Sequence, residues 1–115
     1  MLYPARYTLP PLILGYDWDF SFTYEVSGAG LDFTGYSMSL KVMDSYDSAV
    51  LDTWTSGDDD ITLGDDGTVS IVIASTDQSN LSIGTKKYIV ELTDPDSVVY
   101  PIMTGNFPVI DVNGA

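Results

Sequence analysis

Two residue types that serve much of enzyme chemistry are missing from this sequence of 115 residues, which contains no histidine and no cysteine. Their absence excludes zinc sites with nitrogen and sulfur ligands, nucleophiles that depend on cysteine or on a serine–histidine pair, and disulfide cross-links. The lack of cysteine also agrees with a reducing compartment. Stability must come from packing, and this length predicts one domain with a single core.

Basic residues are scarce as well, because four Lys and Arg residues stand against 17 Asp and Glu, for a net charge of −13. Nucleic-acid binding requires cations that replace the counterions of phosphates, so we expect no direct DNA or RNA recognition. No apolar run approaches the roughly 20 residues that cross a bilayer, and we expect no membrane segment. The apolar stretch 9–14 is short and contains two prolines, so we also expect no signal peptide and synthesis in a cytoplasm.

Alternation of apolar and polar residues with a period of two is the main pattern present. Its best instance is 16–26, where every even position is apolar or aromatic; a strand places these side chains on one face, whereas a helix would scatter them. Further strands are predicted at 36–42, 50–54, 68–73, 87–92, 98–103 and 106–112, with turns rich in Gly, Asp and Pro between them. The connections are too short for a crossover helix, so we expect antiparallel pairing.

These segments predict an all-β fold, an antiparallel sandwich or barrel of about seven or eight strands. Residues 75–84 begin with Ser and Thr and end with Gly, which predicts one short helical turn between sheets. The N-terminal stretch 1–11 holds three prolines and is expected to form an extended arm at a sheet edge. Residues 12–115 are expected to form the single domain.

Acidic turns raise the question of a calcium site, because carboxylate oxygens are ligands that calcium prefers. The candidates are Asp58, Asp59 and Asp60, followed by Asp65 and Asp66. Their spacing does not match an EF-hand loop, since residues 61–63 between them resemble a strand, and Asp-Gly is itself a hairpin signal. We interpret them as solvated turns and predict no resident metal or cofactor, with calcium as the open alternative.

Paired carboxylates could also serve a glycosidase, and Asp17 and Asp19 lie on one face of a predicted strand at a suitable separation. Seventeen acidic residues make such pairs common in this chain. A small sandwich without other polar catalytic groups is seldom an enzyme, so we predict that this protein is not one.

Aromatic side chains outside the main alternation are candidates for contacts with partner proteins. Trp54 and Tyr46 lie near turns and are expected to be exposed, as are Tyr3 and Tyr7 in the arm, which also contributes Leu9. The basic pair at 86 and 87 is interpreted either as protection of an edge strand or as a salt contact with an acidic neighbour in an assembly.

Three stretches resemble a family of small immunoglobulin-like domains in tailed-bacteriophage structural proteins, including the amino-terminal domain of baseplate upper proteins. Residues 31–36 (LDFTGY) and the alternation after them are similar to the family's "dLtGyt" entry into a strand. Residues 76–94 are similar to its segment with spaced Leu, Gly, Tyr and Asp, and residues 99–109 (VYPIMTGNFPV) to its closing "r.l.G.v.V" strand. The resemblance covers about residues 16–112, and Pro101 stands where the family often has Arg.

This resemblance implies an immunoglobulin-like sandwich that is a non-enzymatic virion component, either a tail, baseplate or fibre adaptor or a capsid-decorating protein. Other virion proteins would be its partners, within a homo-oligomer or a large assembly, after synthesis in the cytoplasm of the host bacterium. The mechanism would be assembly, in which the arm adds to a neighbour's sheet through main-chain pairing. The alternative from another class is a glycan-binding or host-adhesion module that uses Trp54, Tyr46 and acidic turns with calcium.

Overall fold

The computed structural model describes residues 5–26 and 28–113. Over this range the protein is all-β, with eleven strands and three short 3₁₀ turns at Ser56–Asp58, Asp65–Gly67 and Ser75–Asp77. The strands are β1 (Ala5–Arg6), β2 (Leu12–Ile13), β3 (Trp18–Thr23), β4 (Glu25–Val26), β5 (Ala29–Gly30), β6 (Ser37–Met43), β7 (Val50–Thr55), β8 (Ile61–Leu63), β9 (Thr68–Ile73), β10 (Gly84–Thr93) and β11 (Val99–Ile110). No helix among the described residues is long and apolar enough to cross a membrane.

The larger sheet has six strands in the order β1-β11-β10-β6-β7, with β2 also paired to β11. Its centre is antiparallel, as the short connections predict, but β1 and β2 both run parallel to β11. The expectation of purely antiparallel pairing is therefore wrong for the first strands. Parallel strands need a long connection, and between strands that follow one another in the chain this is usually a crossover helix. Here the rest of the domain connects β1 and β2 to β11, so no crossover helix is needed.

The smaller sheet contains three antiparallel strands in the order β3-β9-β8, and β4 and β5 form a separate two-stranded hairpin. Strand β9 has the predicted bounds, and the two segments predicted at 98–103 and 106–112 are one strand, β11. The predicted helical turn at 75–84 is reduced to the 3₁₀ turn Ser75–Asp77, followed by a turn in which the Leu81 amide donates to the Gln78 carbonyl.

One hydrophobic core takes side chains from both sheets. On β9 and β10 the buried residues alternate with exposed or half-buried ones, as a strand with one covered face requires. The most deeply buried side chains of the two sheets include Tyr88, Val90, Phe107, Val109, Leu40, Val42, Val69, Ile71 and Ile73. The period-two pattern of the sequence thus identifies the core face.

The described part of the predicted arm belongs to this same domain. The Tyr7 amide donates to the Thr104 carbonyl at 2.9 Å, and the Leu9 amide donates to the Asn106 carbonyl at 3.0 Å. The side chains of Leu9 and Leu12 are buried. Residues 5–11 lie at a sheet edge, as expected, but they pair with β11 of their own chain rather than with the sheet of a neighbour, because β11 offers main-chain partners and the core accepts Leu9. Residues 1–4, including Tyr3, lie outside the described residues.

The aromatic strand at 16–26 is shorter and less covered than the alternation predicts. Strand β3 starts at Trp18, which is buried, whereas Phe20 and Phe22 are half-buried and Tyr16 is exposed. The reason is that β3 lies at the edge of a three-stranded sheet, so its inner face is only partly covered.

Candidate binding groove

A groove of about 400 Å³ lies where β1 runs along β11, beside the β10 strand. It is lined by both the N-terminal segment and the C-terminal strand, and its side chains include Arg6, Tyr7, Tyr46, Lys87, Thr104 and Asn106. Consecutive residues on a strand point to opposite faces. Lys87 therefore reaches the groove, while its neighbours Lys86 and Tyr88 are buried.

Close contact between two backbone segments fixes the floor of the groove. Gly105 has a φ of +151°, and a Cβ atom at this position would collide with the carbonyl oxygen of Tyr7. The same carbonyl accepts a 2.6 Å hydrogen bond from the Tyr88 hydroxyl. Only glycine allows the two segments to approach this closely, so Gly105 and Tyr88 together set the position of the N-terminal segment.

The groove carries a positive charge that neighbouring residues do not neutralise. Lys41 pairs with Glu91 at 2.7 Å, and Lys86 pairs with Asp44 at 2.8 Å. Within the described ranges, Arg6 and Lys87 have no carboxylate oxygen within 4 Å, and the Lys87 ammonium donates to the neutral Asn106 side chain. The two cations without a carboxylate partner thus line one concavity in a chain of net charge −13.

Two tyrosines that the sequence predicts to be exposed contribute to this groove. Tyr7 and Tyr46 are each 49% exposed. The Tyr46 hydroxyl donates to the Gly105 carbonyl at 3.2 Å, which holds the loop after β6 against β11. The Tyr7 ring stacks on Phe20 with 5.5 Å between ring centroids, so Tyr7 contacts both the groove and the half-buried aromatic side chains of β3.

Two other predicted partner contacts are corrected by the structure. Trp54 is buried to 2% exposure, because it faces the core in β7 opposite Leu40 rather than lying in the turn that follows. Leu9 is also buried, at 1% exposure, within the core of its own chain. Neither side chain is available to a partner on this surface, and the adhesion alternative loses the indole ring that it invoked.

The acidic turns are placed apart from this groove. Asp58 and Asp60 line a cavity with Asp52 and Asp77 beside β7, and Asp65 and Asp66 lie in a separate turn near Asp32. Asp59 adopts the left-handed conformation at the end of the first turn. Among the described residues, no group of three or more acidic side chains has an arrangement that could hold a metal ion.

Charge repulsion is concentrated at Asp60. Burial raises the pKa of this carboxyl, and the carboxylates of Asp77, Asp58 and Asp52 raise it further. By contrast, Asp58 lies in the 3₁₀ turn that Thr55 caps, and its carboxylate accepts a hydrogen bond from the Thr55 hydroxyl at 2.9 Å. Asp17, half of the proposed carboxylate pair, accepts from the Ser75 amide at 2.8 Å and anchors the 3₁₀ turn there.

Sequence reasoning missed Arg6, Lys87 and Asn106 as groove residues. The signal for Lys87 was available, because alternation along β10 separates it from the buried Lys86. No local signal identifies Arg6, since its place depends on pairing with residues almost one hundred positions later. Gln78 was missed too: its buried side chain accepts from the Gly15 amide and donates to the Tyr16 carbonyl.

The fold and the groove define an all-β protein with an acidic composition and one concavity that holds two uncompensated cations. Comparison with models of known protein families finds no match. Comparison with curated proteins likewise finds no relative.

Proposed function

We propose that this protein is a non-enzymatic structural component of a tailed-bacteriophage virion and that its two sheets form an immunoglobulin-like sandwich. It would act through protein–protein contacts as a tail, baseplate or fibre adaptor or as a capsid-decorating protein. The observation that carries this proposal is the position of the three phage-like segments. They supply β6, β10 and β11, which are adjacent strands of the larger sheet.

Each resembling segment also has a packing role that accounts for its residues. In the first, the Asp32 carboxylate accepts from the amide and the hydroxyl of Thr34, and Gly35 has a φ of +80°. This turn buries Phe33 and leads into β6. Such positions are determined by the fold, so a shared pattern at all of them supports a shared architecture.

The second and third segments support the same architecture. Leu81 and the alternating Tyr88, Val90 and Leu92 of the second segment all belong to the core. In the third, Gly105 permits the contact with the N-terminal segment, and the residues after it return to the core at Phe107 and Val109. The resemblance therefore follows the residues that hold the two sheets together.

Open strand edges support a role in assembly. In the described chain, β7 ends the larger sheet and β3 ends the smaller one; each is six residues long and is paired on one side. Unpaired edges and exposed aromatic rings are features through which proteins add to one another. The edge at β3 has both, since Tyr7 stacks there on the half-buried Phe20.

Mass spectrometry of purified virions tests this function. Particles from the phage that encodes the chain would be banded on a density gradient, and the chain should co-sediment with them at a constant ratio to the major capsid protein. A phage-encoded enzyme of DNA replication serves as the control that should be absent. Recovery of the chain only from the soluble lysate would contradict the proposal.

A further inference from the structure

We propose that the cationic groove receives the acidic edge of a second copy of this chain. The acidic edge is defined as the four carboxylates around the cavity beside β7: Asp52, Asp58, Asp60 and Asp77. This inference rests on the proposed function, because it names a second copy of the chain as one partner in the proposed assembly.

Charge complementarity is the first argument. Arg6 and Lys87 line the groove without a carboxylate partner among the described residues. The acidic edge has the opposite excess, since the ion pairs in the same ranges use Asp44 and Glu91 and none of its four members. Contact between the two surfaces would place the cations of the groove opposite the carboxylates of the acidic edge.

The positions of the two surfaces give the second argument. Strand β1, which carries Arg6, is at one end of the larger sheet, and β7, which carries Asp52, is at the other. Because the groove and the acidic edge are different surfaces, a single contact between them leaves one groove and one acidic edge free on each pair of copies. Such a head-to-tail contact continues into a ring or a filament, which suits a part of a repeating assembly.

The composition of the groove gives the third argument. Tyr7 and Tyr46 are half-exposed there, and tyrosine and arginine are among the residues enriched in the hot spots of protein interfaces. The arginine guanidinium matches a carboxylate with two parallel N–H donors. The net charge of −13 opposes long-range approach of two copies, but at about 0.15 M salt this repulsion is screened beyond roughly 8 Å, whereas a direct pair persists.

Reciprocal charge reversal tests the contact in solution. One double variant, Arg6→Glu with Lys87→Glu, makes the groove acidic; the other, Asp58→Lys with Asp77→Lys, makes the edge basic. Wild-type protein should self-associate in sedimentation velocity at about 0.1 M NaCl. Each double variant alone should associate at least about tenfold more weakly, because an attraction becomes a repulsion.

The mixture of the two double variants is the decisive sample. Each reversed surface then meets an opposite charge on the other variant, so the mixture should regain association, which also shows that both variants are folded. Glu25→Lys with Asp96→Lys is the matched control, because it changes the net charge as much as the basic-edge variant does but on residues outside both surfaces. It should not show the tenfold weaker self-association of the basic-edge variant.

Three results would overturn the contact. The first is a wild-type chain that stays monomeric at every salt concentration. The second is association that either double variant leaves unchanged or that the mixture does not restore. The third is binding of citrate to the groove of a chain that remains monomeric, which would make the groove a site for free carboxylates. A monomeric chain that is nevertheless found in virions would remove this contact and leave the proposed function intact.

Discussion

The Tyr88 hydroxyl donates a 2.6 Å hydrogen bond to the main-chain carbonyl of Tyr7, which is 81 residues earlier in the sequence. Tyr88 is fully buried in β10, and burial raises the pKa of its hydroxyl, so it remains a proton donor at any ordinary pH. This bond attaches the N-terminal segment to the centre of the larger sheet. It thereby joins the first described strand to the core and shapes the groove.

Tyr88→Phe should destabilise the protein by about 1–2 kcal/mol, because the Tyr7 carbonyl loses a buried donor while the ring packing is kept. Urea unfolding measures the loss. Hydrogen exchange of the Tyr7 and Leu9 amides should accelerate more than exchange in β9.

Tyr100→Phe is the matched control for that change. Its hydroxyl is on a partly exposed residue and makes a longer, 3.4 Å bond to Asp94. We expect a much smaller change in the urea midpoint than for Tyr88→Phe. Equal effects of the two substitutions would show that the bond to Tyr7 has no special role.

Gly105→Ala should displace the N-terminal segment from β11. The added Cβ collides with the Tyr7 carbonyl, and the φ of +151° is unfavourable for any residue except glycine. We expect a loss of about 2–4 kcal/mol in unfolding free energy and faster proteolysis before residue 12.

Gly57→Ala provides the comparison for Gly105→Ala. A Cβ there meets only the Thr55 hydroxyl, at 3.9 Å, and Gly57 does not have a positive φ. Its effect should stay below about 1 kcal/mol. If Gly105→Ala were equally mild, the close approach of the two segments would not limit the fold.

Asp60→Asn should stabilise the protein at neutral pH. Burial and the neighbouring carboxylates, chiefly that of Asp77, raise the pKa of Asp60. The folded state therefore binds this proton more tightly than the unfolded state, so the group's contribution to stability falls as pH rises from about 4 through the raised value. Because the site is partly solvated, the gain at pH 7 should be at most about 1 kcal/mol.

The pH dependence separates this effect from a simple change of side chain. Urea unfolding of Asp60→Asn should show the gain at pH 7 and none at pH 3, where the carboxyl is neutral in both states. Asp59→Asn is the control, since Asp59 is exposed and its left-handed φ of 65° also suits asparagine. A gain of the same size at pH 3 would argue against charge repulsion as the cause.

Asp44→Asn should cost about 1–2 kcal/mol, because the Lys86 ammonium is on a buried side chain and, among the described residues, would keep only the Ser82 hydroxyl as a hydrogen-bond partner. The loss is limited because the Asp44 side chain is 61% exposed. In the pair Lys41–Glu91, the lysine is the more exposed of the two lysines, at 37% against 8%, so Glu91→Gln should cost less than about 0.5 kcal/mol. Thermal unfolding in low salt compares the two, and a larger loss in Glu91→Gln would contradict this order.

Local patterns predict the central strands well. The alternation places β9 at its observed bounds and β6, β7 and β10 within a few residues of theirs, because one buried face requires a period of two. Nearness to a turn, by contrast, wrongly predicts that Trp54 is exposed. Its register opposite Leu40 would have predicted burial, but register is known only once β6 and β7 are paired.

The candidate groove could not be predicted in the same way. Tyr7 and Tyr46 were expected to be exposed from their positions, and both are. Their meeting with Arg6, Lys87 and Asn106 depends on pairing between the two ends of the chain, which no local periodicity encodes.

The sequence by itself determined the all-β class, the core face of the strands and the excess of acidic side chains, because these follow from composition and from a period of two. Only the tertiary structure decided that β1 and β2 run parallel to β11, that Leu9 is part of the core, and that two cations share one groove. The physical reason is sequence separation. Contacts between distant segments depend on which strands pair and in what register, and the local sequence of one strand does not specify its distant partner.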